Sequence, residues 1–454
     1  MIRIAKFGGT SMGSAEALWN AACILAADPA SRLVVVSACS GTTNQLLALA
    51  EAEFSGAQME ADRVKNEIRA RHENLAKNIG VSVAAFSGLF RELEDLQLVL
   101  RDAHASGIKQ QPRLLDQVLS LGERLASELF AALLRAEGRD AVSFDARRVL
   151  RTDNNYGKAE PEIAAIASLA RQVLRPELDR HELLVTQGFI GSASGGHTTT
   201  LGRGGSDYSA ALFGEALGAE SVLIWTDVPG VFTMDPNAVP EARLIPELSF
   251  AEAAELANFG AKVLHPATLL PAVRAGIPVF VGSTFRANEG GTWIRRECKD
   301  VPLARAIAIR KKQTLITVTS LRMLNAQGFL ARIFQTLAEH RLSVDLVTTS
   351  EVSVSLTVDG TSLGSSGRSI MENHKLLDEL RSFSDVSVEE DLSLVALIGN
   401  RLTYTAGVGA RAFRAVEPSN VRLLCHGASQ HNLCFLVKSA DAESAARSLH
   451  KEFL

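Results

Sequence analysis

The chain has 454 residues, 46 % of them hydrophobic and 22 % charged, which is enough for two or three packed domains. Its 47 Lys+Arg nearly balance 51 Asp+Glu, and a net charge of −4 excludes bulk electrostatic attraction to nucleic acid or to an anionic membrane. No run approaches the roughly 20 apolar residues that span a bilayer, and the opening hexapeptide is too short and interrupted for a signal-peptide core. The five cysteines (Cys23, Cys39, Cys298, Cys425, Cys434) form neither CxxC pairs nor metal-ligand spacing, and they read as reduced thiols of a cytoplasmic protein.

In chain order, Lys6-Phe-Gly-Gly-Thr-Ser11 closes a first strand and opens a helix. Its glycines let the backbone approach a polyanion, helix-terminal N–H groups face it, and Lys6 adds a cation. The spacing is neither GxxxxGK[ST] nor GxGxxG. On residues alone, a tight turn with a surface lysine competes with a phosphate loop. Arg32 to Ser37 reads as a strand that leads into a hydroxyl-bearing loop ending near Thr43. From about 58 to 135 the pattern is helical and charged, an inserted layer that would wall a substrate cleft, with Glu123 inside it. Glu182 to Gln187, Ser221 to Trp225 and Ile277 to Val281 read as further near-continuous apolar strands. Such strands, separated by helices, predict an α/β fold with a mostly parallel sheet sandwiched by helices.

Thr198-Thr-Thr-Leu-Gly-Arg-Gly-Gly-Ser-Asp-Tyr208 carries more chemistry. Arg203 can grip a carboxylate bidentately, while Gly204, Gly205 and Ser206 offer backbone and hydroxyl donors at a helix start. Asp207 can orient a lysine or meet an ammonium group. A simple N-cap would explain Ser206 or Asp207, but not the arginine and three glycines. Trp225-Thr-Asp-Val-Pro-Gly-Val-Phe-Thr-Met-Asp-Pro236 suits a loop around a nucleotide base and ribose. Phe259-Gly-Ala-Lys-Val-Leu-His-Pro266 adds Lys262 as a second phosphate-side cation, and His265 reads as structural.

After about 300 the texture changes. Gln313 to Ser320 reads as a strand, followed by Phe329, Leu330, Ile333, Phe334 and Leu337 on one helix face. Val344 to Val347 and the alternating Val352, Val354, Leu356 and Val358 follow as strands. The order recurs in Leu394 to Ile398, a helix around 408–416, Val421 to Leu424 and Leu433 to Val437, so two βαββ units lie in tandem. The run Ala304 to Ile309 can add a strand to either.

Together, KFGGTS, TTTLGRGGSDY, WTDVPG and FGAKVLHPATLLPA resemble the amino acid kinase family, and within it the aspartokinases, over essentially the whole chain. The tail resembles the paired ACT domains with which aspartokinases sense end products. Its run SVDLVTTSEVSVSLTVD is similar to that of the lysine-sensitive, monofunctional class, and the chain stops without a homoserine dehydrogenase domain. The resemblance implies a kinase domain over 1–300 and ferredoxin-like ACT units over 301–390 and 391–454. It implies transfer of the ATP γ-phosphoryl group to the β-carboxylate of L-aspartate, with Mg²⁺ on the nucleotide and no metal-ligating residue.

Lys6 and Asp207 would then be catalytic. Thr43, Glu123, Arg203, Gly204, Gly205 and Ser206 would hold aspartate, with Arg203 on its α-carboxylate and Glu123 near its ammonium. Lys6, Gly8, Gly9, Thr226, Asp227, Phe232, Lys262 and Val263 would line the ATP site. L-Lysine would bind at Met323, Phe329, Leu330, Ser343, Val344, Asp345, Ser350 and Glu351. A homodimer or dimer of dimers through the ACT units is expected, with no nucleic-acid or membrane partner. Three positions depart from the pattern: Asn237 replaces an arginine, Ala326 a serine, and Cys39 a common serine. Phe232 also stands where tyrosine is frequent. Three rivals remain. One is a glutamate or carbamate kinase of the same fold, another a decayed amino-acid sensor, and the weakest a nicotinamide oxidoreductase.

Overall fold

The computed structural model describes residues 2–107, 111–260, 266–324, 327–359 and 369–454. The chain divides into two compact units. The first comprises Met1–Val231, Leu244–Phe250 and Lys262–Cys298; the second comprises Phe232–Arg243, Ala251–Ala261 and Lys299–Leu454.

The first unit is built on strands β1 (Arg3–Phe7), β2 (Ser31–Val36), β3 (Ala141–Phe144), β4 (Leu183–Gln187), β5 (Ile190–Ser192), β6 (Thr198–Thr200), β7 (Ser221–Thr226), β8 (Glu247–Ser249), β9 (Val279–Ser283) and β10 (Gly291–Arg295). Eight of them form one sheet in the order β3-β4-β2-β1-β7-β9-β10-β8, while β5 and β6 make a separate hairpin. Only β10 runs antiparallel to a neighbour, β9. Every residue of β4 is buried, as are Leu33 to Val36 in β2. This explains the absence of polar alternation, since a parallel sheet covered on both faces has no solvent side.

From β1 the chain builds outward to β2 on one side and later returns to place β7 on the other. The carboxyl end of β1 therefore lies at a topological switch point, where open α/β sheets leave a crevice. The helical layer consists of Thr42–Phe54, Gln58–Asn78, Ser87–Ala105 and Pro112–Ala136. In the second of these, Ala61, Val64, Ile68, His72 and Leu75 recur at helical spacing and are buried. Glu53, fully buried, accepts from Gln97 Nε2 at 2.6 Å and Arg101 Nε at 2.9 Å, which ties the layer together.

The second unit contains β11 (Ala304–Thr319), β12 (Val344–Thr349), β13 (Ser353–Asp359), β14 (Asp385–Gly399), β15 (Leu423–His426) and β16 (Asn432–Lys438). They form one antiparallel sheet in the order β12-β13-β11-β14-β16-β15. The two long strands serve two ferredoxin-like halves, and each turns through a left-handed residue, Lys312 (φ 62°) and Asp391 (φ 58°). Residues 313–319 pair with β13 and with the start of β14, whereas 304–310 pair with 394–399. The run from Ala304 thus supplies the fourth strand of the carboxy-terminal half, and the other half is inserted behind it. Each half also has a second helix, His374–Arg381 or Ser439–Phe453; the inserted half runs βαββαβ, while the carboxy-terminal half takes its fourth strand from ahead of the insertion and runs βαββα after it.

Separate apolar cores fill the halves, one around Ile316, Ile333 and Leu356, the other around Val395, Leu397 and Phe435. Met234 and Val239 belong to the latter core, which places the segment Phe232–Arg243 in this unit. The apolar face expected for the Phe329–Glu339 helix is wider than the core beneath it. Ile333 and Leu337 are buried, but Leu330 and Phe334 are 41 % and 38 % exposed.

Candidate active site

Lys6 is the penultimate residue of β1, and Asp207 stands in the first turn of the Gly205–Leu217 helix. Lys6 Nζ and Asp207 Oδ1 are 2.5 Å apart. The reading of Lys6 as a surface lysine is corrected here, because its residue exposure is only 7 %. After Lys6 the chain turns sharply: Gly8 N–H donates to the Trp225 carbonyl and the Gly9 carbonyl accepts from Ser40 N–H. A Cβ on Gly9 would lie 3.0 Å from the Ala38 carbonyl oxygen, so this loop packs directly on the one after β2.

That neighbouring loop leads into the Thr42–Phe54 helix, whose cap Gly41 is left-handed (φ 86°) and offers no side-chain cap. Thr43 in the first turn is half-buried. Beneath the loop lies Glu123, brought in by the Pro112–Ala136 helix and 3 % exposed. Its Oε1 accepts from Ala38 N–H at 3.1 Å, while Oε2 is buried with no hydrogen-bond partner among the described residues. Burial pushes the Glu123 carboxyl up to about 8, against the lowering pull of the Ala38 N–H and of the nearby Lys6 charge. A buried, half-satisfied carboxyl held neutral by burial can ionise when a positive group arrives beside it.

The third wall is the glycine loop before the Gly205–Leu217 helix. Gly204 caps the helix in the left-handed region (φ 75°), leaving first-turn N–H groups available to an anion. Arg203 is exposed and its guanidinium has no partner among the described residues. Ser206 sits so close to Gly188 that a Cβ there would lie 2.5 Å from Ser206 Cβ. Gly188 was not singled out in the sequence; its signal was a glycine directly after a buried strand.

Asp116 was missed as well. It is buried and accepts from Thr200 N–H, Thr200 Oγ1 and Gly157 N–H at 2.9–3.0 Å, pinning the β5–β6 hairpin that precedes the loop. Its only sequence signal was an acid on an otherwise apolar helix face.

On the other side of β1, Thr226 ends β7 and donates through Oγ1 to Asp227 Oδ1 at 3.1 Å, with the Asp227 side chain exposed. Ser11 and Thr284 share a buried hydroxyl contact of 2.7 Å nearby. Phe232 falls in the second unit and is half-buried. Asn237 donates through both N–H and Nδ2 to Asp235 Oδ1, so it closes an Asx turn. Lys262, Val263 and His265 lie outside the described residues.

In the second unit, a cavity of about 580 Å³ is lined by Met323, Leu324, Gly328, Phe329, Leu330, Thr349, Ser350 and Glu351. It gathers five of the eight residues expected to meet L-lysine; Ser343, Val344 and Asp345 are outside its lining. Asp345 is the extra residue of a bulge, since Val344 pairs with Val358 and Leu346 with Thr357. Its Oδ2 lies 3.2 Å from Arg310 Nη2, a guanidinium shared with Asp359 at 2.9 Å. That oxygen is buried and ion-paired with the guanidinium, but the contact is poorly aligned as a hydrogen bond. Burial pushes the Asp345 carboxyl up, opposed by Arg310. Ala326 is outside the described residues.

Residues 1–283 match the amino acid kinase family, and residues 316–372 and 395–453 match the ACT domain. The fold and the glycine-lined crevice thus define an amino acid kinase with ACT domains attached. The chain is 49 % identical to lysine-sensitive aspartokinase 3 of Escherichia coli, covering 99 % of this chain and 98 % of that protein. It is 35 % identical to a chloroplastic aspartokinase 3 of Arabidopsis thaliana, covering 99 % and 81 %. The crystal structure of E. coli aspartokinase III with aspartate and ADP, described as its R-state, superposes with a TM-score of 0.87 at 47 % identity, covering 100 % of this chain and 99 % of that one. Its complex with lysine and aspartate, the T-state, gives 0.83 at the same identity and coverage. The chain belongs to the aspartokinases and is a kinase of that family.

Proposed function

We propose that this enzyme phosphorylates the β-carboxylate of L-aspartate from ATP at the crevice beside β1, and that L-lysine inhibits it through the cavity of the second unit. The observation that carries the catalytic part is the buried Lys6–Asp207 contact at the switch point, flanked by two glycine loops and Glu123. Asp207 holds the lysine ammonium in place, and Lys6 neutralises charge that spreads over the transferring phosphoryl oxygens. The attacking carboxylate is already an anion at neutral pH, so the step requires no general base.

Gly8, Gly9, Thr226, Asp227, Lys262 and Val263 serve the nucleotide. Arg203 takes the α-carboxylate of aspartate, Glu123 its ammonium, and Thr43, Gly204, Gly205 and Ser206 complete the substrate side. An ion carried in on nucleotide oxygens and water would need few protein ligands. When bound, Mg²⁺ would supply charge neutralisation at the nucleotide phosphates. We assign the catalytic domain to about 1–300 and regulation to the residues after it. The exposed edge strand β12, with Val347, Leu330 and Phe334 exposed beside it, suits homo-oligomer formation through the ACT half. No described helix is long and apolar enough to cross a membrane; we assign the enzyme to the cytoplasm.

The direct test is an ATP- and aspartate-dependent hydroxamate assay run with and without lysine, threonine and methionine. Absence of aspartyl hydroxamate would return the chain to the decayed-sensor reading. Two further results are expected at this site. Arg203→Lys keeps the charge but loses the planar fork, so the aspartate KM rises roughly tenfold or more while the ATP constant stays near wild type. Movement of the ATP constant instead would reverse the two halves of the site.

The second result concerns pH. With Glu123 raised from 4.5 to about 8, the ligand-free enzyme holds it protonated at neutral pH. An ammonium ligand requires the carboxylate, so kcat/KM for aspartate climbs with pH to about 8, and aspartate binding releases a proton. At two pH units below that value only ~1 % of the carboxyl is ionised. The same shift opposes folding as pH rises: its contribution is full below 4.5 and is lost between 4.5 and about 8. Glu123→Gln removes the alkaline climb, and a variant with an unchanged pH profile would take Glu123 off the ammonium.

A further inference from the structure

The β15–β16 hairpin carries two cysteines that the phosphoryl transfer does not use. Cys425 and Cys434 stand directly opposite each other in the antiparallel register, between the pairs Leu424–Phe435 and His426–Leu433. The Cys434 thiol is buried and donates to the Cys425 carbonyl oxygen at 3.7 Å. Cys425 lies on the outermost strand of the six-stranded sheet and is only half-buried, so a small solute can reach it. Directly opposed residues of an antiparallel pair have Cα atoms about 4.5–5.5 Å apart, inside the roughly 4.4–6.8 Å that a disulfide spans.

We propose that Cys425 and Cys434 form a redox-active dithiol, converted reversibly to an intrachain disulfide by a small disulfide oxidant of the glutathione class. The Cys425 thiolate attacks one sulfur of the oxidant, forming a mixed disulfide and expelling one thiolate, which takes up the proton Cys425 gave up. Cys434 then loses its proton and attacks the Cys425 sulfur. The Cys425–Cys434 bond forms and a second small thiol leaves, so two protein thiols are oxidised and one disulfide is reduced to two thiols.

The order of attack follows from the environment. The neighbouring Cys434 side chain pulls Cys425 down to about 7, while the proximity of Cys425 and burial push Cys434 up. Cys39, by contrast, is fully enclosed and pushed up to about 12. Reversibility follows from the sheet. Opposed Cβ atoms normally lie about 4.5–5.5 Å apart, and a disulfide needs about 3.5–4.5 Å. The strands must therefore close in by roughly 1 Å, and strained bonds of this kind are the readily reduced ones.

The bridge would also enclose the donors of a local clasp. Between the two cysteines, Ser429 Oγ and Asn432 Nδ2 donate to Glu255 at 2.6 and 2.8 Å. Glu255 lies on the Phe250–Asn258 helix, whose charge both thiols feel and which leads in sequence towards Lys262.

The test uses the full-length enzyme equilibrated in buffers of increasing oxidised-to-reduced glutathione ratio, then quenched in acid, denatured and alkylated. Of the five free cysteines, two are expected to become unavailable together. Peptide mapping should give one linked pair containing residues 425 and 434, lighter by two hydrogens and restored by dithiothreitol. In Cys434→Ala the reaction should stop at a glutathione adduct on Cys425. Five alkylated thiols at every ratio would overturn the proposal. So would a wild-type adduct on Cys425 that never resolves, or linkage confined to Cys23 or Cys298. Wild-type mapping alone decides the matter if the alanine variant fails to fold, and it is independent of any kinase assay.

Discussion

Lys6→Met is expected to abolish phosphoryl transfer, with kcat reduced roughly a hundredfold or more, because losing a cation at a transferring phosphate raises the barrier by several kcal/mol. The methionine stem fills most of the space of the lysine stem in β1, so the sheet has no cavity to absorb. The remaining cost is Asp207, which loses an ammonium 2.5 Å away. Its side chain keeps 16 % exposure, so water can reach the freed carboxylate. Truncating one member of a buried pair nonetheless costs stability, and the double variant Lys6→Met/Asp207→Asn separates the two effects. It should regain the midpoint of thermal unfolding that the single variant loses, while remaining as inactive. Turnover near wild type in a folded Lys6→Met enzyme would remove Lys6 from the mechanism.

The parts of this site that could be read in the sequence share one property: they are chemically unusual over a short span. Three glycines with an arginine before Ser206 and Asp207, or two glycines after Lys6, have few structural explanations. Their placement at the end of β1 and at a helix start followed from apolar runs that a two-sided sheet requires. Asp116 and Gly188 were illegible because their roles are tertiary. Asp116 looks like any helix acid until Thr200 and Gly157, distant in sequence, bring it three donors. Gly188 is needed only because Ser206 packs against it.

The same limit applied to topology. A six-residue strand at Ala304 fits either half of the tail by pattern, and only the register with β14 decides between them. Likewise Phe232 follows a nucleotide-type turn, yet Met234 and Val239 anchor its segment in the core of the second unit. The second helices and the start of β14 were missed for a further reason. The β14 start, at Asp385–Glu389, has no fully buried residue and turns only Val386 and Val388 towards the core, so its apolar signal is short.

Millimolar L-lysine is expected to inhibit the wild-type enzyme, and Asp345→Ala to weaken that inhibition by roughly 5–150-fold, the usual range of allosteric couplings. The cavity supplies the start of the Phe329–Glu339 helix, capped by a left-handed Gly328 without a side-chain acceptor, so its N–H groups can meet a carboxylate. Ser350 and Glu351 on the opposite wall can read a distant amine. Asp345 lies four residues before Thr349 on the same edge strand, and its bulge turns it towards Arg310.

A carboxylate that shares one guanidinium with Asp359, and keeps Oδ2 buried without a hydrogen bond, is under-satisfied. An α-ammonium would offer it a better-aligned partner. Inhibition also requires lysine to favour an inactive arrangement over the active one, since equal affinity for both shifts nothing. Removing Asp345 leaves Arg310 paired with Asp359 at 2.9 Å and touches no kinase residue, so basal turnover should persist. If Asp345→Ala is inhibited as strongly as wild type, the ammonium is held by other groups. If wild-type activity ignores lysine but falls with threonine, the effector assignment fails and the kinase stands without it.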